Sequence, residues 1–333
     1  MRSHQQIPMM VPGMRVPLAG DADKRGFTII ELLVAITVTL IISGVMIAFT
    51  SNLLSVYNRS SGRVTAMTQA SLFLDQVTAD LESIVLENNA DTMLTIEIFP
   101  NAPAGRGWVT PRKPVAGSLF VPNPAERPRI DRHRFGQGGA EIRFFTAAPD
   151  VLGGGGTGAV RAVNYTMSYR GVVGPGTTPV QYMLFRSEVP ADITFENGYN
   201  LSDYTGSTLD DPDGGQVDNP LVVPDLDDIL VPNVVDLGFR VWARDVNGNQ
   251  ALLFPEDNSD LQYSLAISNV PANQYPLAIE VMVRVLTSEG ERLLRAVEDP
   301  TIPETATDEE WWGIVEEHSR VFSRLVRFPG RPL

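Results

Sequence analysis

Apolar and polar residues follow three different rhythms along this chain of 333 residues. From Phe27 to Phe49 there is hardly a rhythm at all. FTIIELLVAITVTLIISGVMIAF runs for 23 residues with one ionisable side chain, Glu31. At roughly 1.5 Å per residue a helix of this length matches the hydrocarbon thickness of a bilayer, about 30 Å. The run therefore predicts a transmembrane helix over 27–50. Beyond it, over 51–90, apolar side chains recur every three or four positions. Tyr57, Val64, Met67, Leu74, Val77, Leu81 and Ile84 carry the pattern, with Arg59, Arg63, Gln69 and Asp80 between them. That spacing predicts an amphipathic helix with one buried stripe. No proline interrupts 27–87, so the two stretches read as one long helix, with Gly44 and Ser60-Ser61-Gly62 as places where it could bend.

From about residue 93 the period falls to two. Strands are expected at Leu94–Phe99, Leu119–Val121, Glu141–Thr146, Val160–Tyr169, Val180–Glu188, Val234–Arg244, Ala251–Phe254, Leu277–Thr287 and Val321–Phe328. Asn247-Gly248 is a hairpin turn signal. Thr307-x-x-Glu310 is a capping-box pattern that starts a short helix near 308–318. The stretches 100–138, 149–158 and 198–228 read as loops, rich in Pro, Gly and Arg, in Gly, and in Asp respectively. The fold class is α+β: a long N-terminal helix, membrane half plus amphipathic half, packed on an antiparallel sheet within a β-rich domain at 91–333.

Glu31 does not fit a plain anchor. A carboxylate in a membrane helix costs about 2.5–3.5 kcal/mol at mid-bilayer and less nearer the interface, so it normally has a partner. Cutting the chain after Gly26 would supply one, because Phe27 would then carry a free α-amine four residues before Glu31. The apolar run is too long for a secretory signal and has the basic pair Lys24-Arg25 close in front of it. Lys24 and Arg25 also hold the preceding segment on the cytoplasmic side.

Lys24-Arg25-Gly26-Phe27-Thr28-Ile29-Ile30-Glu31-Leu32-Leu33-Val34 closely resembles the processing site of type IV prepilins and type II secretion pseudopilins. The resemblance covers about 25 residues. It implies that residues 1–26 are a leader, that a prepilin peptidase cuts between Gly26 and Phe27, and that Phe27 becomes N-methylated. It further implies that Glu31 is the docking carboxylate of assembly. The leader is long for the family, and Met9, Met10 and Met14 offer translation starts inside it besides Met1.

Later strings resemble the strands of J-type minor pseudopilins. These are Val163-Asn164-Tyr165-Thr166-Met167, Tyr182-Met183-Leu184-Phe185-Arg186 and Leu230-Val231-Pro232-Asn233-Val234-Val235-Asp236-Leu237. Pro276-Leu277-Ala278-Ile279-Glu280-Val281 and Val321-Phe322-Ser323-Arg324 follow in the same order. They match more loosely than the N-terminus, since any alternation of apolar and polar residues yields similar strings, and this chain is longer than the usual J-type subunit.

Composition narrows the chemistry. There is no cysteine, and His4, His133 and His318 are the only histidines. Disulfides, thiolate metal sites and cysteine nucleophiles are thereby excluded. With 26 basic against 40 acidic residues the net charge is −14, the opposite of a nucleic-acid footprint. Removing the leader takes away Arg2, Arg15, Lys24, Arg25, Asp21 and Asp23, leaving 22 basic and 38 acidic residues. Such an acidic body is held at a membrane by its helix and not by anionic lipid.

Gly153–Gly156 has no Gly-Lys-Ser/Thr behind it, so it reads as a turn and not as a phosphate loop. No His-Glu-x-x-His or Gly-x-Ser-x-Gly occurs. Asp210, Asp211, Asp213 and Asp218, followed by Asp225, Asp227 and Asp228, crowd an acidic stretch. Asp211, Asp213 and Asp218 are the calcium candidates, though the full calcium-loop pattern is missing and a solvated acidic loop is the simpler reading. Asp245-x-Asn247-x-Asn249 has ligand-like spacing that the Asn-Gly turn already explains. Trp311-Trp312 reads either as an exposed partner contact or as a face buried on the sheet.

The expectation is thus a non-enzymatic structural subunit without a cofactor. It is a J-like minor pseudopilin of a type II secretion system, single-pass in the bacterial inner membrane, with its C-terminal domain in the periplasm and a place at or near a pseudopilus tip, where it helps start assembly. The expected partners are minor and major pseudopilins, the prepilin peptidase and the inner-membrane assembly platform. A minor pilin of a type IV pilus or competence fibre shares every N-terminal feature. A membrane-tethered calcium- or ligand-binding domain is the alternative from another class.

Overall fold

The computed structural model describes residues 28–103, 106–108, 113–114, 135–136, 138–147, 160–173, 179–245, 247–256, 260–271, 275–298 and 307–328. The chain divides into two compact units, Met1–Val56 and Tyr57–Leu333. Helix α1 (Ile29–Glu82) spans 54 residues and contributes to both. The strand expected at Leu119–Val121 and the glycine run 153–156 lie outside the described residues.

In the first unit every described side chain of the helix is exposed. It is the one helix among the described residues long and apolar enough to cross a membrane. Two of its threonine hydroxyls are satisfied within the helix: Thr37 donates to the Leu33 carbonyl and Thr39 to the Ala35 carbonyl, each at 2.8 Å. Neither hydroxyl needs a partner outside the helix.

The second unit is built from two antiparallel sheets and a small hairpin. Strands β1 (Leu94–Phe99), β2 (Gly139–Ala147), β3 (Val160–Gly171) and β4 (Val180–Val189) form consecutive neighbours. Helix α2 (Ala191–Asn197) and the hairpin β5 (Thr208–Asp210) and β6 (Gln216–Asp218) follow, and β7 (Ile229–Pro232) completes that edge of the sheet. Strands β8 (Val234–Arg244) and β9 (Gln250–Phe254) belong to the second sheet, while β10 (Gln262–Leu265) returns to pair with β1. After β11 (Ala278–Leu286) come helices α3 (Ser288–Val297) and α4 (Asp308–His318) and the edge strand β12 (Ser319–Arg327). The sheet orders are β10-β1-β2-β3-β4-β7 and β12-β11-β8-β9.

One core joins both sheets to the second half of α1, and its helix stripe differs from the one expected. Tyr57, Val64 and Met67 are 69%, 62% and 62% exposed. The buried line is Ala66, Ala70, Phe73, Leu74, Val77 and Leu81, with Gly62 at its head. Gly62, Ala66 and Ala70, small residues at four-residue steps, let the helix lie close on its support. A Cβ at Gly62 would come within 3.3 Å of the Thr287 Cβ. Further along, Phe73 meets Tyr165 edge-on at 5.8 Å between centroids. Leu94, Ile96, Ile142, Phe144, Val235, Leu237, Ile279 and Val281 supply the sheet side of the core, as two-residue periodicity requires.

The helix ends on β2. Val85 N–H donates to the Phe145 carbonyl at 2.8 Å, Ala147 N–H to the Ser83 carbonyl at 3.0 Å, and the Thr146 hydroxyl to the Asp80 carbonyl at 3.0 Å. The Asp80 carboxylate accepts from Tyr165 Oη at 2.5 Å and from Arg186 Nε at 2.8 Å. Burial, and then the Asp80 charge, push the Tyr165 hydroxyl well above the ordinary tyrosine range, so it stays a proton donor.

The string 230–237, expected to hold a single strand from Val234, contains the ends of two. Asn233 has φ 63°, a left-handed conformation that asparagine tolerates. There the chain leaves the first sheet as β7 and enters the second as β8. Trp311 and Trp312 are buried, the second completely, which decides against an exposed contact. The capping box before α4 is present as expected, with Glu310 N–H on Thr307 Oγ1 at 3.2 Å and Thr307 N–H on Glu310 Oε2 at 2.9 Å.

Candidate assembly site

The described part of the N-terminal motif begins at Thr28. Its backbone N–H and hydroxyl donate to Glu31 Oε2 at 2.9 and 3.0 Å, and Glu31 N–H donates back to Thr28 Oγ1 at 3.3 Å. This reciprocal pair is a capping box: it satisfies donors that the first turn of any helix leaves open, and it sets a negative charge at the positive end of the helix dipole. The sequence holds the signal, Thr-x-x-Glu, and reading Glu31 only as a partner for an α-amine overlooked Thr28. Lys24, Arg25, Gly26 and Phe27 lie outside the described residues.

Around Glu31 the surface is apolar. Ile30, Val34, Ala35, Val38 and Thr39 form a shallow exposed face with it. Chemically the site offers one carboxylate, oriented by Thr28, on a helix otherwise fit for lipid or for another apolar helix.

The calcium candidates are spread along the β5–β6 hairpin. Asp211 and Asp213 sit in its turn, where Asp213 N–H donates to Asp211 Oδ1 at 2.9 Å. Asp218 lies at the far end of β6, opposite Thr208. Among the described residues no three His, Asp or Glu side chains come together in a way that would hold a metal ion. Asp245 accepts from the backbone N–H groups of Asn247 and Asn249, both at 2.8 Å, and closes the β8–β9 turn with Gly248 at φ 85°. The Asn249 N–H is the main reason its carboxyl is held below the ordinary aspartate range.

One anchor was not legible in the sequence. Asp236 on β8 accepts from Lys113 Nζ at 2.8 Å, from Gly136 N–H at 2.8 Å and from Phe135 N–H at 3.0 Å. The Lys113 ammonium also lies 5.5 Å from the Trp312 ring centroid. Gly136 is required there, because a Cβ would stand 2.1 Å from the Leu237 carbonyl oxygen. Two points of the 100–138 segment are thus fixed to one buried carboxylate. Nothing in the spacing of Lys113, Phe135 and Asp236 along the chain announces it.

No curated protein matches this chain significantly. A type IV-like pilin of known structure from Thermus thermophilus overlaps it with 9% identity and a TM-score of 0.29, covering 79% of this chain and 96% of that one, too loose a superposition to bear on strand placement. The family model for the prokaryotic N-terminal methylation motif matches residues 21–47. Gly26, Phe27 and Glu31 fall inside that match, and residues 21–47 thereby give this chain the N-terminal signature of the type IV prepilin and pseudopilin family.

Proposed function

We propose that the chain is a structural subunit of a secretion pseudopilus, a minor pseudopilin of the J type placed at or near the fibre tip. The observation that carries this reading is the methylation motif at the head of a fully exposed apolar helix, with a single oriented carboxylate, Glu31, in its first turn. A membrane helix that served only as an anchor would gain from replacing Glu31 by an apolar residue. Retaining it is explained by a cation on a neighbouring chain or at a processed Phe27.

In this reading the prepilin peptidase cuts between Gly26 and Phe27, Phe27 is methylated, and Glu31 registers the helix against other pseudopilins as the assembly platform lifts it from the inner membrane. Within the second unit, the exposed Tyr57, Val64 and Met67 offer a further apolar contact surface on α1. The strand strings that resemble J-type subunits support the subtype. The test is the mass of the N-terminal peptide of the protein made in its own cells. A peptide starting at methylated Phe27 is expected. An uncut junction from Lys24 to Phe27 in the mature protein would overturn the reading in favour of a tethered globular domain.

A further inference from the structure

The negative charge of this protein is concentrated. Between Ser187 and Phe239 lie 12 of the 40 acidic residues and no Lys, Arg or His, whereas the other 280 residues carry 28 acidic against 26 basic side chains. Nearly all of the net charge of −14 therefore belongs to this one run.

Much of the run folds as a small module with its own core. Leu201, Tyr204, Leu209 and Leu221 pack with Phe145 of β2 in a cluster separate from the main core. Tyr204 Oη donates to the Thr194 and Gly198 carbonyls at 3.1 and 2.8 Å. Asn219 Nδ2 donates to the Tyr204 and Gly206 carbonyls at 2.9 and 2.8 Å. These bonds fix α2 and the β5–β6 hairpin on a common frame, so the surface between them is preformed.

That surface is an apolar groove of about 360 Å³. Ile193 of α2, Leu209 of β5, Val217 of β6 and Val223 line it, and Asp218 and Asp225 stand on it as well. Val223 is 47% exposed, and Asp218 makes no ion pair among the described residues. A preformed apolar groove suits a ligand that brings apolar surface, and the surrounding charge selects its sign. Acidic segments and anionic lipid headgroups are repelled, while a cationic segment is drawn in and held in register.

We propose that this groove docks an extended basic segment of a partner protein, one that seats an apolar side chain against Ile193 and Val223 and sets Lys or Arg against Asp218. The module would serve a tethered domain equally well, so the inference stands apart from the fibre reading.

The test uses the full-length protein in a non-ionic detergent and a fluorescein-labelled probe peptide, Lys-Lys-Val-Lys-Leu-Lys-Lys, followed by anisotropy at roughly 50 mM salt. A second peptide has serine in place of valine and leucine. The apolar peptide is expected to bind about tenfold more tightly than the serine peptide, the worth of burying one aliphatic side chain. Val223→Ser should remove most of that preference without moving the melting temperature, since the side chain is half exposed. Asp218→Lys should weaken both peptides about fivefold or more. Equal affinity for the two peptides would reduce the site to unspecific charge attraction and overturn the proposal. So would a preference that survives Val223→Ser, or no binding at millimolar peptide.

Discussion

Replacing Asp236 by asparagine changes the shape of the side chain by almost nothing and its chemistry completely. The Lys113 and Asp236 side chains are both wholly buried, and the carboxylate serves three donors within 3.0 Å. In Asp236→Asn one lone-pair-bearing oxygen becomes an NH₂ facing donors, and the Lys113 ammonium keeps its charge without a counter-charge at that oxygen. Breaking one side of a buried, hydrogen-bonded charge pair costs about 3–5 kcal/mol. At roughly 2–4 °C per kcal/mol for a domain of this size, the melting temperature should fall by about 6 °C or more. The assay is thermal unfolding of the detergent-solubilised protein by circular dichroism, for Asp236→Asn, Lys113→Met and the double variant. The double variant should be less destabilised than the sum of the singles by at least about 1 kcal/mol, since it removes charge and counter-charge together. A fall below about 2 °C, or strict additivity, would refute the idea that this pair fastens the 100–138 segment.

Ala70→Leu should destabilise the domain by about 1–3 kcal/mol through overpacking, whereas Met67→Leu, on the exposed face, should stay within about 0.5 kcal/mol; urea unfolding separates the two, and equal effects would contradict the small-residue stripe. Glu31→Ala should leave the protein inserted and its domain folded yet no longer crosslinked to the other pseudopilins in intact cells, as judged by immunoblot; unchanged crosslinking would remove Glu31 from assembly. The folded Asp245 carboxyl sits below its unfolded value near 3.8, so its support of the β8–β9 turn is complete above that value and is lost as pH falls through the lower folded one. The amide resonances of Asn247 and Asn249 should titrate with a midpoint under 3.8, and a midpoint at or above it would show that the turn does not favour the charged carboxyl.

How legible the fold was depended on whether each choice was local. Helix 29–82, the Asn247-Gly248 turn and the Thr307 capping box are decided by neighbours a few residues apart, and all three could be read from sequence. The buried line of α1 could be read only in its second part, because Leu74, Val77 and Leu81 announce burial while Ala66 and Ala70 do so only beside a partner. The short strands β5, β6, β7 and β10 have three or four residues each, too few for alternation to stand out, and they exist through the strands beside them. At the candidate site Glu31 stood out because it is costly in lipid, and Thr28 was missed because its hydroxyl is not. The Asp236 clamp joins residues more than 100 positions apart, and such pairings leave no periodic trace.

The joint at Asn233 makes chain length itself a constraint. β7 and β8 are separated by that single residue, and β8 turns Val235, Leu237, Phe239 and Val241 into the core while Asp236 and Gly238 face the 100–138 segment. Deleting or inserting one residue between Leu230 and Val235 would turn the whole of β8 over, delivering Asp236 and Arg240 to the apolar side and Leu237 to the lysine. Length variation among natural or engineered versions of this protein should therefore collect in the loops and be absent from this joint, where no slack exists to absorb it.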